Sequence, residues 1–252
     1  MDNKKINLAV SIFVMVGMTV ATIVTTALKI GPADHQARIL LLTSAFGALM
    51  GVAASVTSAS GLAVNFVFGL INVLIYGTIC LINWYHGSSG LGHAMMHFLF
   101  SAPMQVIGFI KWKQRGTNQQ GAVNARRLTS KQRWLYTAIF ITGSIVAYFI
   151  IAQFDRSAAG SFIKVAVVLD VLPLACNILG QLLMSWAYME QWVFWIGVNV
   201  FSIIMWGKTL HDDPDSSYAL IYLIKYSFYL LNSANGLRNW VMLSKKDSPA
   251  LR

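Results

Sequence analysis

The chain has 252 residues, of which 56% are apolar and only 11% are charged. Soluble domains carry about 25% charged residues, so this composition excludes an ordinary soluble protein and favours a membrane protein. The net charge is +10, but the basic residues cluster in the segment 111–133 and at the C-terminal end. That distribution is typical of membrane topology and of contact with lipid headgroups, and it argues against nucleic-acid binding.

Eight apolar stretches divide the chain, and each is about as long as the roughly 20 residues that a membrane-spanning helix needs. They cover 6–30, 39–58, 66–84, 91–112, 134–153, 162–186, 192–208 and 218–243. The first stretch is longer than the core of a signal peptide and no small-residue cleavage site follows it, so we expect a retained helix. Cys80 and Cys176 lie within spans, so no disulfide framework is expected. The sequence therefore predicts an all-α polytopic membrane protein with about eight transmembrane helices.

Two short patterns recur in the same order in the two halves of the chain. Residues 65–73 (NFVFGLINV) are similar to 191–200 (QWVFWIGVNV), and 108–112 (GFIKW) are similar to 236–240 (GLRNW). The offset between the copies changes only from 126 to 128 residues, which indicates a duplicated three-helix unit. Because each unit has an odd number of helices, one connecting helix restores the orientation and makes the copies a parallel repeat.

The predicted organisation is an N-terminal extra helix followed by a 3+1+3 parallel repeat. Residues 1–37 hold the extra transmembrane helix, 38–112 the first three-helix repeat, 113–161 the basic loop and connecting helix, and 162–252 the second repeat with the C-terminal tail. By the positive-inside rule, the basic loop and both termini are cytoplasmic and the acidic segment 209–217 lies outside. Such repeats place a substrate site between the halves, near the bilayer midplane.

Amide and aromatic side chains share helix faces in both predicted repeats. Amides both donate and accept hydrogen bonds, so they suit an uncharged carboxamide or sugar hydroxyls, and aromatic faces stack on a flat ring, better still on a cationic one. The alternative is that the amides join helices to one another and that Trp192 anchors at the membrane interface. Gly108 and Gly236 are interpreted as sites of close helix packing. The predicted substrate-binding residues are Asn72, Gln105, Gln181, Tyr188, Trp192, Trp195, Asn199 and Asn239.

Several ionisable groups can be interpreted in more than one way. Asp170 and Lys225 lie within apolar runs and could pair with each other, either structurally or on a solute or proton pathway. Glu190, at a span boundary, is interpreted as solvated. A metal site would use His93 and His97, which share a helix face, with His86 in the preceding loop; they lack a His-Glu-x-x-His pattern, so we expect no metal and no other cofactor. No Walker-type phosphate-binding loop is present, so we expect that the chain does not hydrolyse ATP itself.

The strings at 65–72, 103–112 (PMQVIGFIKW) and 192–195 (WVFW) resemble the signatures of the PnuC family of bacterial vitamin transporters. The resemblance covers roughly 47–240. It implies a nicotinamide riboside transporter of the inner membrane, not an enzyme, with a core similar to that of the SWEET sugar carriers. It also implies facilitated diffusion, with a cytoplasmic kinase trapping the substrate by phosphorylation without any required contact.

The resemblance carries a functional role over to Asn72, Gln105, Trp192 and Trp195. The chain departs from the family where members commonly have Gly-Asp and then Asn, since Gly92-His93 and His97 stand there. Relatives are linked to thiamine or riboflavin, so another aromatic vitamin is the main competing substrate. Two further function classes stay open, an intramembrane metal-dependent enzyme and a purely structural membrane protein. The expected partners are the small-molecule substrate and membrane lipid, with a possible homo-oligomer and no nucleic acid.

The basic segment generates a prediction on topology. A cysteine introduced at Gln119 is expected to react with a membrane-impermeant thiol reagent only after the cell is opened, because the positive-inside rule places this segment in the cytoplasm. The measurement is labelling of intact and of permeabilised cells. Labelling in intact cells would invert the predicted topology.

Overall fold

The computed structural model describes residues 3–31, 35–85, 94–119, 121–154, 165–212 and 217–245. Within these ranges the chain forms eight α-helices and no β-strand beyond isolated bridges. They are α1 Asn3–Ile30, α2 His35–Ala59, α3 Asn65–Tyr85, α4 Ala102–Arg115, α5 Ser130–Phe154, α6 Val165–Ser185, α7 Gln191–Asp212 and α8 Ser217–Lys245. A π-helical turn, Met96–Ser101, leads into α4.

Six of these helices, α1, α2, α3, α5, α6 and α7, are long and apolar enough to cross a membrane. The remaining two differ for visible reasons. The α-helical part of α4 has only 14 residues, because the π-helical turn precedes it. Helix α8 has 29 residues but contains Lys225, Arg238 and three asparagines. The prediction of an all-α polytopic membrane protein is confirmed.

Two groups of three helices pack in the same way. In the first group α3 packs against both α2 and α4, and in the second α7 packs against both α6 and α8. Between the groups, α2 packs against α8 and α4 packs against α6. The first helix of each group thus meets the third helix of the other, which is the pairing that two copies related by a two-fold axis produce. We refer to α2–α4 as repeat A and to α6–α8 as repeat B.

The two helices outside the repeats have different surroundings. Helix α1 packs between α2 and α8, and it is held there by a chain of amides. Asn7 donates to the Ser60 hydroxyl over 3.1 Å, and Asn235 donates to the Asn7 carbonyl oxygen over 2.7 Å. Helix α5 packs mainly against α6 and is otherwise covered with exposed apolar side chains, as a lipid-facing connecting helix would be.

The first helix of repeat A ends in a Schellman motif. The N–H of Gly61 donates to the Ser58 carbonyl, and the N–H of Leu62 donates to the Thr57 carbonyl, both over 2.9 Å. Gly61 has a φ of 74°, in the left-handed region that glycine adopts without steric cost. The motif satisfies carbonyls that the helix end would otherwise leave without a partner in an apolar environment.

The first helix of repeat B ends in the same motif at the corresponding residues. Ala187 donates to the Met184 carbonyl and Tyr188 donates to the Leu183 carbonyl, again both over 2.9 Å. Ala187 has a φ of 59° and is the only described residue other than glycine with a positive φ. The two repeats therefore share this left-handed backbone conformation, although repeat A has glycine at the position and repeat B has alanine.

Two tryptophans join the repeats through these helix ends. The indole N–H of Trp112 in α4 donates to the Met184 carbonyl over 2.7 Å, and that of Trp240 in α8 donates to the Ser58 carbonyl over 2.9 Å. Both tryptophans are buried, and their ring centroids are 5.3 Å apart. Each bond links the third helix of one repeat to the first helix of the other.

The recurring glycines, interpreted from the sequence as sites of close helix packing, make room for aromatic rings of neighbouring helices. A Cβ on Gly108 would lie 2.2 Å from the Phe66 ring, and a Cβ on Gly236 would lie 2.6 Å from the Trp192 ring. In each repeat, the aromatic residue of the first recurring string packs on the glycine of the second. The two strings recur together because they form one contact.

The segment 116–129, here called the strap, crosses the end of the bundle at which α2 and α6 end. Its Val123 N–H donates to the Gly61 carbonyl over 2.8 Å, and its Arg126 N–H donates to the Ala187 carbonyl over 2.7 Å. These two acceptors are equivalent in the repeats. Ala125, which lies between the two donors, is fully buried. The strap thus binds both repeats by the same backbone atom in each.

The interpretation of Glu190 as a solvated residue is wrong. Both of its carboxylate oxygens accept the Leu128 N–H, over 3.1 and 3.2 Å, and Arg133 pairs with it at 3.2 Å. The side chain is buried because a carboxylate at this position satisfies a backbone donor of the strap. Glu190 therefore fixes the strap to the turn between α6 and α7.

The two helix ends allow a matched test of backbone strain. Gly61→Ala is expected to lower the free energy of unfolding by about 1–2 kcal/mol, the cost of a left-handed non-glycine residue. Its Cβ would also lie 3.2 Å from Ala122 and Leu243, which adds to the strain. The measurement is thermal unfolding in detergent, where about 1 kcal/mol corresponds to roughly 2–4 °C.

The control is Ala187→Gly at the equivalent position. Here the relief of strain and the loss of one buried methyl group, about 0.8 kcal/mol, nearly cancel. A larger change for Ala187→Gly than for Gly61→Ala would contradict the equivalence of the two ends.

Candidate functional site

Two glutamines meet between the repeats. Gln105 of α4 donates from Nε2 to Oε1 of Gln181 on α6, over 3.4 Å, and both side chains are buried. The remaining atoms of this pair, Oε1 of Gln105 and Nε2 of Gln181, have no hydrogen-bond partner among the described residues. A buried polar atom without a partner costs about 1–3 kcal/mol, so the pair presents one free acceptor and one free donor to a ligand.

The surroundings hold this pair in place. Ser185, one helical turn beyond Gln181, donates to the Met104 carbonyl over 3.1 Å, which joins α6 to α4 next to Gln105. On α3, Gly69 leaves the space that the Gln105 side chain occupies, since a Cβ there would lie 2.7 Å from Oε1. The position of the amides is therefore set by three helices.

Trp195 of α7 packs on α6, the helix that carries Gln181. Its ring packs on Gly180, where a Cβ would approach it to 3.2 Å, and Gly180 directly precedes Gln181 in α6. The Trp195 side chain is only partly buried, so part of its ring is free for contact with a ligand. One turn further along α7, Asn199 is buried and donates to the Ser233 hydroxyl over 3.0 Å.

Asn72 corresponds to Asn199 in the other repeat. It lies against Gly51 of α2, whose Cβ would be 3.2 Å from the amide, and it has no hydrogen-bond partner for its side chain among the described residues. Of the eight predicted site residues, Gln105 and Gln181 thus meet across the boundary between the repeats. The contacts of Asn72 lie within repeat A, and those of Trp195 and Asn199 lie within repeat B.

The other three predicted residues contact protein near the strap. Trp192 is 2% exposed, with its ring on Gly236 and 6.3 Å from the Trp240 ring. Asn239 donates to the Ala59 carbonyl over 2.8 Å, which is the helix-joining role that the sequence left open.

Tyr188 is buried under the strap. The Arg126 guanidinium lies 4.5 Å from the centre of its ring, a cation–π contact. Leu128 and Leu183 complete an apolar cluster around it. Tyr188, like Asn239, therefore has a structural environment. Trp192 is packed on protein, but its indole Nε1 has no hydrogen-bond partner among the described residues.

At the opposite end of the bundle, Lys225 of α8 lies among aromatic rings. Its ammonium is 5.4 Å from the ring centre of Tyr222 and 5.8 Å from those of Tyr226 and Tyr229. The predicted partner, Asp170, is in α6, and its side chain lies outside the described residues. Lys225 is thus stabilised by cation–π contacts.

The histidines of the alternative metal-site hypothesis are only partly described. His86 and His93 lie outside the described residues, and His97 contacts the Tyr76 ring at a centroid distance of 4.9 Å. Within the described ranges no three His, Cys, Asp or Glu residues come together as a metal site would require. Cys80 and Cys176 are buried and unpaired as a disulfide.

One residue of interest was not among the predicted site residues. Gln191, the first residue of α7, is fully buried, and neither its Oε1 nor its Nε2 has a partner among the described residues. The sequence held a signal for it, because both copies of the recurring string begin with an amide, Asn65 in one and Gln191 in the other.

Comparison with known proteins places this arrangement in a family. The nicotinamide mononucleotide transporter family matches residues 41–242. The nicotinamide riboside transporter PnuC of Haemophilus influenzae is 34% identical over 202 residues, 79% of each chain. Its namesake from Neisseria mucosa is 30% identical over 205 residues, which is 80% of this chain and 72% of the relative.

A solved structure has the same fold. The crystal structure of the vitamin B3 transporter PnuC aligns with 93% of this chain and 91% of its own, with a TM-score of 0.65 and 26% identity. The predicted resemblance to the PnuC family is confirmed, and the transport function of that family excludes the enzyme hypothesis. This chain belongs to the nicotinamide mononucleotide transporter family and is a multi-pass membrane transport protein.

Proposed function

We propose that the chain carries nicotinamide riboside across the membrane by facilitated diffusion, with the substrate bound between the two repeats. The names of the curated relatives support this substrate. The observation that carries the proposal is the free acceptor of Gln105 and the free donor of Gln181. A nicotinamide carboxamide has one N–H₂ donor and one carbonyl acceptor, so it complements both atoms.

Trp195 supplies the second element of the proposed site. Its partly exposed ring packs on Gly180, the residue before Gln181, and in the proposed pose the ring whose carboxamide binds the glutamines stacks on it. The pyridinium of nicotinamide riboside is cationic, which strengthens stacking on an indole. Trp192 is enclosed by protein and contributes packing instead. In the proposed site, Asn72 and Asn199, at equivalent positions of α3 and α7, add hydrogen-bonding capacity.

The site favours nicotinamide riboside over other candidates by chemistry. Thiamine has no carboxamide to pair with the glutamines, and riboflavin has a much larger ring system. The phosphate of nicotinamide mononucleotide requires a cation when it is buried. Among the described residues, the amide pair makes no hydrogen bond to Lys or Arg, and Lys225 of α8 is engaged by tyrosine rings.

Transport through this site requires that the two repeats change their relative position. Rocking of repeat A against repeat B about the bound substrate is the simplest such motion for a repeat pair. The basic strap and the basic end of α8 support a cytoplasmic location for the strap end and for both termini, in the inner membrane. A cytoplasmic kinase would then trap the substrate after its release, without contact with the chain, and anionic lipid would surround the basic end.

The role of Trp195 is tested by calorimetry on purified protein. Trp195→Ala is expected to weaken nicotinamide riboside binding by about 1–2 kcal/mol, which is roughly five- to thirty-fold in Kd, because it removes a partly desolvated cation–π contact. Nicotinamide mononucleotide, thiamine and riboflavin, titrated alongside, are expected to bind wild-type protein more weakly.

Trp192→Ala is the matched control. It removes a ring that packs on Gly236, so it is expected to lower the melting temperature more than the affinity. Wild-type affinity in a stably folded Trp195→Ala protein would contradict the stacking role, and tighter binding of another vitamin would contradict the substrate.

A further prediction from the proposed site concerns energy coupling. Liposomes containing the protein are expected to equilibrate nicotinamide riboside without a proton or sodium gradient. The physical reason is that the proposed site consists of amides and aromatic rings, while Glu190 is bound to the strap. The measurement is uptake of labelled substrate with and without each gradient. Accumulation above the outside concentration would refute uniport.

A further inference from the structure

Gln191 is a buried amide that the fold itself does not use. It is 0% exposed, yet its donor and its acceptor both lack partners among the described residues. An amide in this state is costly in water-free surroundings, and most buried polar groups in proteins do have partners. A side chain that is orphaned at both atoms therefore points to a group that binds there.

The duplication provides an internal reference for this position. Asn65, its equivalent in repeat A, is also buried and also begins its helix, but it donates from Nδ2 to the Leu62 carbonyl over 2.7 Å. The backbone at the two positions is alike, since Asn65 N–H donates to Leu62 over 3.1 Å and Gln191 N–H donates to Tyr188 over 3.3 Å. Only the side-chain bond is missing in repeat B.

This loss is specific because the neighbouring contacts are kept in both repeats. The helix-end motifs, the tryptophan bonds and the strap bonds all recur at equivalent residues. The amide at the start of the helix thus bonds the preceding turn in repeat A, through Asn65, but Gln191 makes no such bond in repeat B. The longer glutamine side chain is free to serve another purpose.

The helical spacing connects Gln191 to the proposed site. Gln191, Trp195 and Asn199 are spaced by four residues, so they lie along one face of α7. Trp195 packs on Gly180, next to Gln181, whose Nε2 is also without a partner among the described residues. Gln191 therefore lies one turn before Trp195 on the same face of α7.

We propose that Gln191 is a specificity-determining residue that hydrogen-bonds the vicinal hydroxyls of the ribose. An amide offers one donor group and one acceptor, and a diol supplies the complement to each. The carboxamide end of the ligand is already matched by Gln105 and Gln181, which leaves the sugar for the amide one turn away. This inference rests on the proposed function and extends it from the ring to the sugar.

The test compares two cations that differ in the sugar. Nicotinamide riboside has the ribose, whereas 1-methylnicotinamide has the same ring and carboxamide without it. In Gln191→Leu, the affinity for nicotinamide riboside is expected to fall about tenfold, while the affinity for 1-methylnicotinamide stays within about twofold of wild type. Calorimetry on the purified full chain measures both.

A second variant guards against a folding artefact. Gln191→Leu removes two unpartnered polar atoms, so its melting temperature without ligand is expected to match or exceed that of wild type. Gln191→Asn carries the amide that repeat A uses to cap its own turn, so it is expected to fold and to lose the same tenfold. Asn65→Ala is the control, in which the melting temperature falls and the ratio of the two affinities is unchanged.

The outcomes separate the role of Gln191 from the function of the whole chain. Equal affinities of wild type and Gln191→Leu for nicotinamide riboside would overturn the role of Gln191, and so would an equal loss for both ligands. Failure of the wild type to bind nicotinamide riboside would overturn the proposed function, and this inference with it.

Discussion

The indole N–H groups of Trp112 and Trp240 are buried in a bundle that lipid surrounds, and lipid offers no acceptor to replace a missing hydrogen bond. Each N–H finds a carbonyl at the end of the first helix of the opposite repeat. The same carbonyls, of Met184 and Ser58, also accept the backbone N–H that closes their own helix end. The position of one half against the other and the shape of both helix ends are therefore determined together.

The strap adds a third pair of bonds to this arrangement. The donors of this pair are the backbone N–H groups of Val123 and Arg126, and they reach the equivalent carbonyl in each repeat. Symmetry is thus close at this end of the molecule, where the contacts hold the halves together. It is lost where polar side chains meet deeper in the bundle. The α4–α6 boundary holds the Gln105–Gln181 pair, whereas at the α2–α8 boundary Asn232, one residue before the equivalent of Gln105, donates to Ser55.

The number and order of the helices and the duplication could be predicted, because apolar length and recurring strings are properties of the chain itself. The roles of the two tryptophans could not be separated. Helical spacing relates Trp192 to Trp195 but does not say which helix each ring will contact. In the structure, Trp192 packs on Gly236 of α8 and Trp195 packs on Gly180 of α6. The partner of Glu190 was also beyond prediction, because a backbone N–H in an irregular segment has no sequence signature.

The two boundaries between the repeats, α4–α6 and α2–α8, carry different polar side chains, and this difference has a consequence for a solute bound between the repeats. An exact two-fold axis along the membrane normal would offer an unsymmetrical molecule two poses of equal energy, related by a half-turn about that axis. At the α4–α6 boundary the glutamines leave a donor and an acceptor without partners, whereas at the α2–α8 boundary the Asn232–Ser55 pair leaves the Asn232 oxygen without a partner among the described residues. For a solute bound between the repeats as proposed, the divergence of the copies therefore selects the boundary that faces its hydrogen-bonding end.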